Sequence, residues 1–180
     1  MSDEQFPESD RLAVSAQLSR PARGVHAVAH RCPCGLPDVV MTKPRLEDGT
    51  PFPTTFYLTC PSVNAQISTL ESSGLMRQMT QRIADEPELG AAYAAAHIDY
   101  VTQRAKLGRV PEIEQVSAGG MPTRVKCLHA LVAHALGRGP GVNPLGDEVL
   151  AHLSAWWRSG PCVGLCGPGQ SSRVDSEPVT

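Results

Sequence analysis

The apolar positions of the chain change period twice. From Gly24, the run VHAVAHR alternates Val25, Ala27 and Ala29 against His26, Val28 and His30, and its β-branched content predicts a strand. RCPCG is a turn, DVVMT (38–42) a second strand, and TTFYLTC from Thr54 a third, with an Asp48-Gly49 turn signal between them. After Cys60-Pro61 the period lengthens, because Val63, Ile67 and Leu70 recur at helical spacing and Gly74 supplies a stop. Leu75, Met76, Met79 and Ile83 predict a second helix, and Pro87 opens a third through ELGAAYAAAHIDYVTQRAK. TRVKCLHALVAHAL forms the best amphipathic helix, and a last one runs from Pro144 to about Trp157. Ahead of the strands, DRLAVSAQLSR (10–20) reads as a short helix.

These elements predict an α+β fold: a small antiparallel sheet of about three strands packed against four to six helices. The acidic start, residues 1–9, is expected to be disordered, residues 10–158 to form a single globular domain, and the Gly/Pro/Ser-rich residues 159–180 to form a flexible tail. Trp156 and Trp157 are read as core.

Composition narrows the classes. Of 180 residues 41% are hydrophobic and 19% charged, an ordinary globular balance. Sixteen basic residues face eighteen acidic ones, so the net charge of −2 offers no general attraction to nucleic acid or an anionic membrane. MSDEQFPESD lacks the basic and apolar regions of a signal peptide, and no run approaches a membrane span. The expectation is a cytoplasmic protein, whose six cysteines are thiols rather than disulfides.

The thiols and imidazoles carry the candidate chemistry. Cys32 and Cys34 lie in a turn, Cys60 at a strand end, and Cys127, His129 and His134 along one predicted helix. Thiolates and imidazoles converging from several elements suit zinc or iron. The spacing lacks the CxxC knuckle of familiar zinc modules. Cys127 and His134, seven residues apart, share a helix side but stand roughly 10 Å apart along the axis, too far for one ion. His129 points away from Cys127 unless the helix begins later. The expected site takes Cys32, Cys60 and one group from this helix, with Cys34 or Cys162 completing it. Against this stands plain packing of the thiols, and a regulatory disulfide among Cys32, Cys34 and Cys60 is a further alternative.

A second candidate is an anion site where Gly119 and Gly120 lead into a helix whose first turn carries Thr123, Arg124 and Lys126. Free N–H groups at such a terminus, with basic side chains, attract phosphate. His26 and His30 are read as a solvated strand face, and Asp38, Glu47, Asp48, Asp85 and Glu86 as turn and cap residues. No paired carboxylates, nucleophile elbow or nucleotide fingerprint is present.

The runs AHRCPCGLPDVV, PRLEDGTPFPTTFYLTCP, SGLMRQMTQRIADEPELGAAYAAAH, SAGGMPTRVKCLHALVAHAL and GPGVNPLGDE, spanning roughly residues 10 to 162, resemble the bacterial family called domain of unknown function 501. Cys32 with Gly35, Cys60 within LTCP, and Cys127 with His129 and His134 match its pattern, whereas Cys34 and Cys166 are less typical. The resemblance implies genomic company, an exopolyphosphatase and a septum-formation protein, and no mechanism. Three readings follow: a metal-binding Cys/His regulatory or interaction protein; a small Cys/His enzyme or binding protein acting on a phosphorylated or polyphosphate ligand; and a partner-binding domain without metal.

Overall fold

A computed structural model describes residues 6–164. Three strands, β1 (Val25–Arg31), β2 (Pro37–Thr42) and β3 (Phe56–Leu58), form an antiparallel sheet in the order β1-β2-β3. Around it stand six helices: α1 (Glu8–Leu18), α2 (Pro61–Ser72), α3 (Leu75–Asp85), α4 (Pro87–Leu107), α5 (Leu128–Arg138) and α6 (Pro144–His152). The fold is α+β, as the periodicity predicts. Among the described residues no helix is long and apolar enough to cross a membrane.

The sheet divides two sets of buried side chains. On one face Phe6, Val14 and Val40 pack beneath α1. On the other, Val39, Phe56 and Leu58 meet Leu128, Leu131 and Val132 of α5, and the cluster continues through Ile67, Met79, Tyr93, Tyr100, Leu145 and Val149. Alternate residues of β2 serve opposite faces, so Val39 and Val40 both disappear from solvent, one into each core. Helix α5 lies at the centre, against β3 on one side and α6 on the other. Gly146 permits that approach, since a Cβ there would collide with the Leu131 carbonyl.

Several boundaries move. At the ends of the described chain, α1 begins at Glu8, Phe6 is buried, and Cys162 packs against the main core. Residues 1–5 and 165–180, which hold the rest of both predicted terminal segments, lie outside the described residues. Helix α6 stops at His152 rather than near Trp157, because Leu153 is extended and the Ser154 N–H and hydroxyl both donate to Gln66 Oε1 of α2. Trp156 does pack on the core, edge-on to Trp157 at 4.8 Å between ring centroids. Asp38 is not a turn residue: it is fully buried and lies 2.7 Å from His30 Nδ1, so His30 is hydrogen-bonded to a buried carboxylate rather than part of a free solvated face.

The largest departure is at α5, which starts at Leu128 and not near Thr123. Its preceding segment is folded back on itself: the Lys126 N–H donates to the Gly119 carbonyl at 2.7 Å and the Arg124 N–H to that of Gly120 at 3.2 Å. The Val125 N–H donates to Thr80 Oγ1 of α3 at 3.0 Å. Cys127 therefore adopts an extended conformation and occupies the cap position of α5.

Candidate metal centre

With α5 beginning at Leu128, Cys127 and His129 no longer stand on opposite sides of a helix. The Cys127 Sγ lies 3.9 Å from His129 Nδ1. A third group completes the set. Glu71, in the last turn of α2, places Oε1 3.1 Å from the same nitrogen and accepts the Leu128 N–H at 2.6 Å. Its own helix disfavours a negative charge there, because the C-terminal end of the macrodipole is negative; the free N–H groups starting α5 supply the compensation. One donor atom from each of Glu71, Cys127 and His129 lies within 4.8 Å of the other two.

Asn64, Ser68 and Glu71 recur on one face of α2 and orient the imidazole. His129 Nε2 faces the Asn64 carbonyl at 3.3 Å and Ser68 Oγ at 3.5 Å. Cys127 and Glu71 hold the imidazolium so well that its pKa is pushed up to about 9, against the opposing effect of partial burial. Thiol and carboxylate converge on the Nδ1 side of the ring.

Cys127 and His129 border a cleft of about 560 Å³. Cys127, His129 and Ala130 form one wall, Phe56, Tyr57 and Leu58 another, with Asn64 and Gly119 between. Glu71 and His129 keep about a quarter of their side-chain surface exposed. Thiolate, imidazole and carboxylate donors bound at 2.0–2.3 Å to one tetrahedral zinc ion stand about 3.3–3.7 Å apart, within a few tenths of an ångström of the Cys127–His129 and His129–Glu71 separations.

The remaining candidates go elsewhere. Cys32 and Cys34 interact across the β1–β2 turn, and burial raises the Cys32 thiol to about 11. Cys60 is buried at the cap of α2 beside Cys162, and burial again raises its thiol to about 11. Gln17 Nε2 donates to Cys162 Sγ at 3.3 Å. Among the described residues, no group of three or more potential ligands includes Cys32, Cys34, Cys60, Cys162 or His134. High thiol pKa values are those of packed, inert cysteines.

His134 is part of the core. Its Nε2 donates to Asp99 Oδ2 at 2.9 Å, and its Nδ1 accepts from Asn143 Nδ2 at 3.3 Å. Phe56 and Tyr100 flank the ring, and burial lowers its pKa. At the predicted anion corner the N–H groups of Arg124 and Lys126 are taken by Gly120 and Gly119, and that of Val125 by Thr80. A Cβ at Gly120 would crowd the Arg124 carbonyl, so this glycine closes the turn on itself. What the corner offers an anion is the exposed side chains of Thr123, Arg124 and Lys126.

Glu71 was hidden in sequence by its setting in the polar run STLESS (68–73), where it reads as solvated. The available signal was a carboxylate in the wrong turn of its helix, a local conflict that needs a partner from elsewhere.

The fold and site define an α+β protein with a mixed thiol, imidazole and carboxylate cluster at the mouth of a cleft. The chain belongs to the family described as protein of unknown function (DUF501), whose model matches residues 28–151. That span includes both walls of the cleft and all three clustered side chains. No curated protein and no solved structure matches the chain.

Proposed function

We propose that the protein binds a transition-metal ion, zinc in the first instance, through Glu71, Cys127 and His129, and presents the ion to a ligand in the adjoining cleft. The observation that carries this reading is the convergence of three different donors, two of which, Cys127 and His129, line the cleft. Three protein ligands with an accessible fourth position are the arrangement of ions that act on a ligand, whereas structural zinc sites are closed by four. The raised His129 pKa has the same origin: a cation is favoured where thiol and carboxylate meet, and a metal ion would take the proton's place.

The Cys/His enzyme reading, with Cys127 as nucleophile, draws support from the thiol's position at the start of α5 and its opening onto the cleft. The geometry favours it less. In a nucleophile–imidazole–carboxylate relay the two partners use opposite ring nitrogens. Here Cys127 and Glu71 both face Nδ1, which suits a shared cation.

Elemental analysis of protein purified without chelator, with zinc titration of the apo form, tests the reading. One equivalent of metal per chain is expected, lost in Cys127→Ser and His129→Ala and retained in Cys60→Ser and Cys32→Ser. Absence of stoichiometric metal together with no zinc binding by the reduced apo protein would remove it.

A further inference from the structure

The face of the sheet that packs beneath α1, away from the metal centre, carries a second and smaller cavity of about 160 Å³. It lies where the end of α1 meets all three strands. Leu18, Val25, Val40 and Tyr57, all belonging to the buried group on that face, line it together with Leu46 and Phe52 of the β2–β3 connection. Gly24 makes room for Leu46, since a Cβ there would stand 2.7 Å from Leu46 Cδ2. Of the lining residues Val40 and Thr42 are buried and the others are partly or fully exposed, so the cavity opens to solvent.

The charge on this cavity is of one sign. Arg20 and Arg23 line it, and Arg20 Nη2 donates to the Tyr57 hydroxyl at 3.4 Å. Neither arginine forms an ion pair among the described residues, whereas the arginines on either side of them in sequence, Arg11 and Arg31, hold Glu8 and Asp10. Asp48 feels the charge of Arg23, but it is committed to its own hairpin, where it accepts the Thr50 N–H at 2.9 Å. The hydroxyl of Thr42, the remaining polar side chain of the lining, donates to the Thr54 carbonyl. The segment that carries both arginines is pinned at three points: the Arg20 N–H donates to the Ser15 carbonyl at 3.2 Å, the Ala22 N–H to Ser15 Oγ at 3.1 Å, and the Lys43 N–H to the Gly24 carbonyl at 2.7 Å. Two guanidinium groups are thus held beside an apolar cavity without a carboxylate partner. Part of their charge answers the C-terminal end of α1, equivalent to about half a negative charge, which has no basic residue in its last turn. The remainder suits one negative charge better than two.

We propose that this cavity binds a small monocarboxylate with an apolar ring or branched chain, its body among Leu18, Val25, Leu46 and Phe52 and its carboxylate on Arg20 and Arg23. The volume is that of one ring, since an apolar cavity of about 150 Å³ holds benzene. Guanidinium groups match a carboxylate with paired, charge-assisted hydrogen bonds, and the Tyr57 hydroxyl can add another. A phosphate monoester is served less well, because its second charge meets the C-terminal end of α1 and no helix N-terminus lines the cavity to supply N–H groups. The site shares only Tyr57 with the metal cleft and does not depend on the zinc reading.

NMR titration of the full chain with benzoate, benzyl alcohol and phenyl phosphate tests the proposal. Benzoate should shift the methyl signals of Leu18, Val25 and Leu46. It should bind at least about tenfold more tightly than benzyl alcohol, which has nearly the same shape and no charge. Replacing both arginines, Arg20→Ala with Arg23→Ala, should abolish that advantage and leave the melting temperature unchanged, because both side chains are exposed. Arg77→Ala, exposed on α3, should leave benzoate binding as it is. Methyl signals unmoved by benzoate at about 10 mM, equal affinity for benzyl alcohol, or undiminished benzoate binding by the folded double variant would each overturn the site. Tighter binding of phenyl phosphate than of benzoate would overturn the carboxylate as its head group.

Discussion

His129 and His134 lie five residues apart on the same helix, each beside a carboxylate, and their environments drive them in opposite directions. His134 is sealed between Phe56 and Tyr100, with both ring nitrogens engaged in a neutral network whose Asp99 is also held by Arg138 at 2.9 and 3.1 Å. Desolvation dominates there and its pKa falls. His129 sits at the cleft with Cys127 and Glu71 on one nitrogen, and its pKa rises. A nearby carboxylate does not by itself make a histidine functional. What separates the two is whether the surrounding groups complete the ring's bonding or leave a cation-shaped need open to solvent.

The sharpest way to break the contrast is His134→Ala. It leaves a hole between two aromatic rings and removes a partner from Asn143, whose Oδ1 caps α6 by accepting the Gly146 N–H at 3.0 Å. The expected cost is about 3 kcal/mol. For a domain of this size that is a fall of about 6–12 °C in Tm by thermal denaturation. Zinc affinity of the folded protein should be unchanged; a parallel loss of zinc binding would show that the two histidines are not independent.

The converse substitutions, Cys127→Ser and His129→Ala, should weaken zinc binding at least about 100-fold, roughly 2.7 kcal/mol, while moving Tm little, because both side chains are only partly buried. Isothermal titration and a melting curve on the same samples read both numbers. A variant that melts early without losing zinc would place His129 among structural residues.

Glu71→Gln is subtler. The amide oxygen can still accept the Leu128 N–H, so the start of α5 should hold, but the carboxylate's charge is gone. A loss of about tenfold in zinc affinity with unchanged Tm is expected. An unaltered affinity would mean that Glu71 caps α5 and does nothing for the ion.

The fold was largely legible because its signals are local: the period-two runs from Val25 to Leu58, the helical spacing after Cys60, and the prolines and glycines that bound α2, α3 and α4. The site was half legible. Cys127 and His129 were visible as residue types, but their convergence depends on where α5 begins, and that is decided by the folded-back segment from Gly119 to Lys126 and by a carboxylate from α2. No periodicity within the α5 sequence carries either fact. Cys32 and Cys60 attracted attention for the same chemical reason and yet are buried at separate places, since thiols serve packing as readily as ligation.

Acid titration gives the smallest and most direct test of the difference. Burial depresses the folded pKa of His134 below its ordinary value near 6.5. Above that pH the ring is neutral in both folded and unfolded chains and contributes no pH dependence. As pH falls through 6.5 the unfolded chain takes up the proton first, so stability declines until the depressed folded pKa is reached, with a slope of at most about 1.4 kcal/mol per pH unit. His30 contributes with the opposite sign, because Asp38 raises its pKa: its stabilisation is complete below 6.5 and is lost as pH rises through the folded value. Comparing urea denaturation of wild type and His134→Gln between pH 7 and 5 isolates the His134 part. The variant should lose less stability on acidification than wild type, because it has no buried imidazole for the unfolded chain to protonate; parallel curves would mean that the His134 pKa is not depressed.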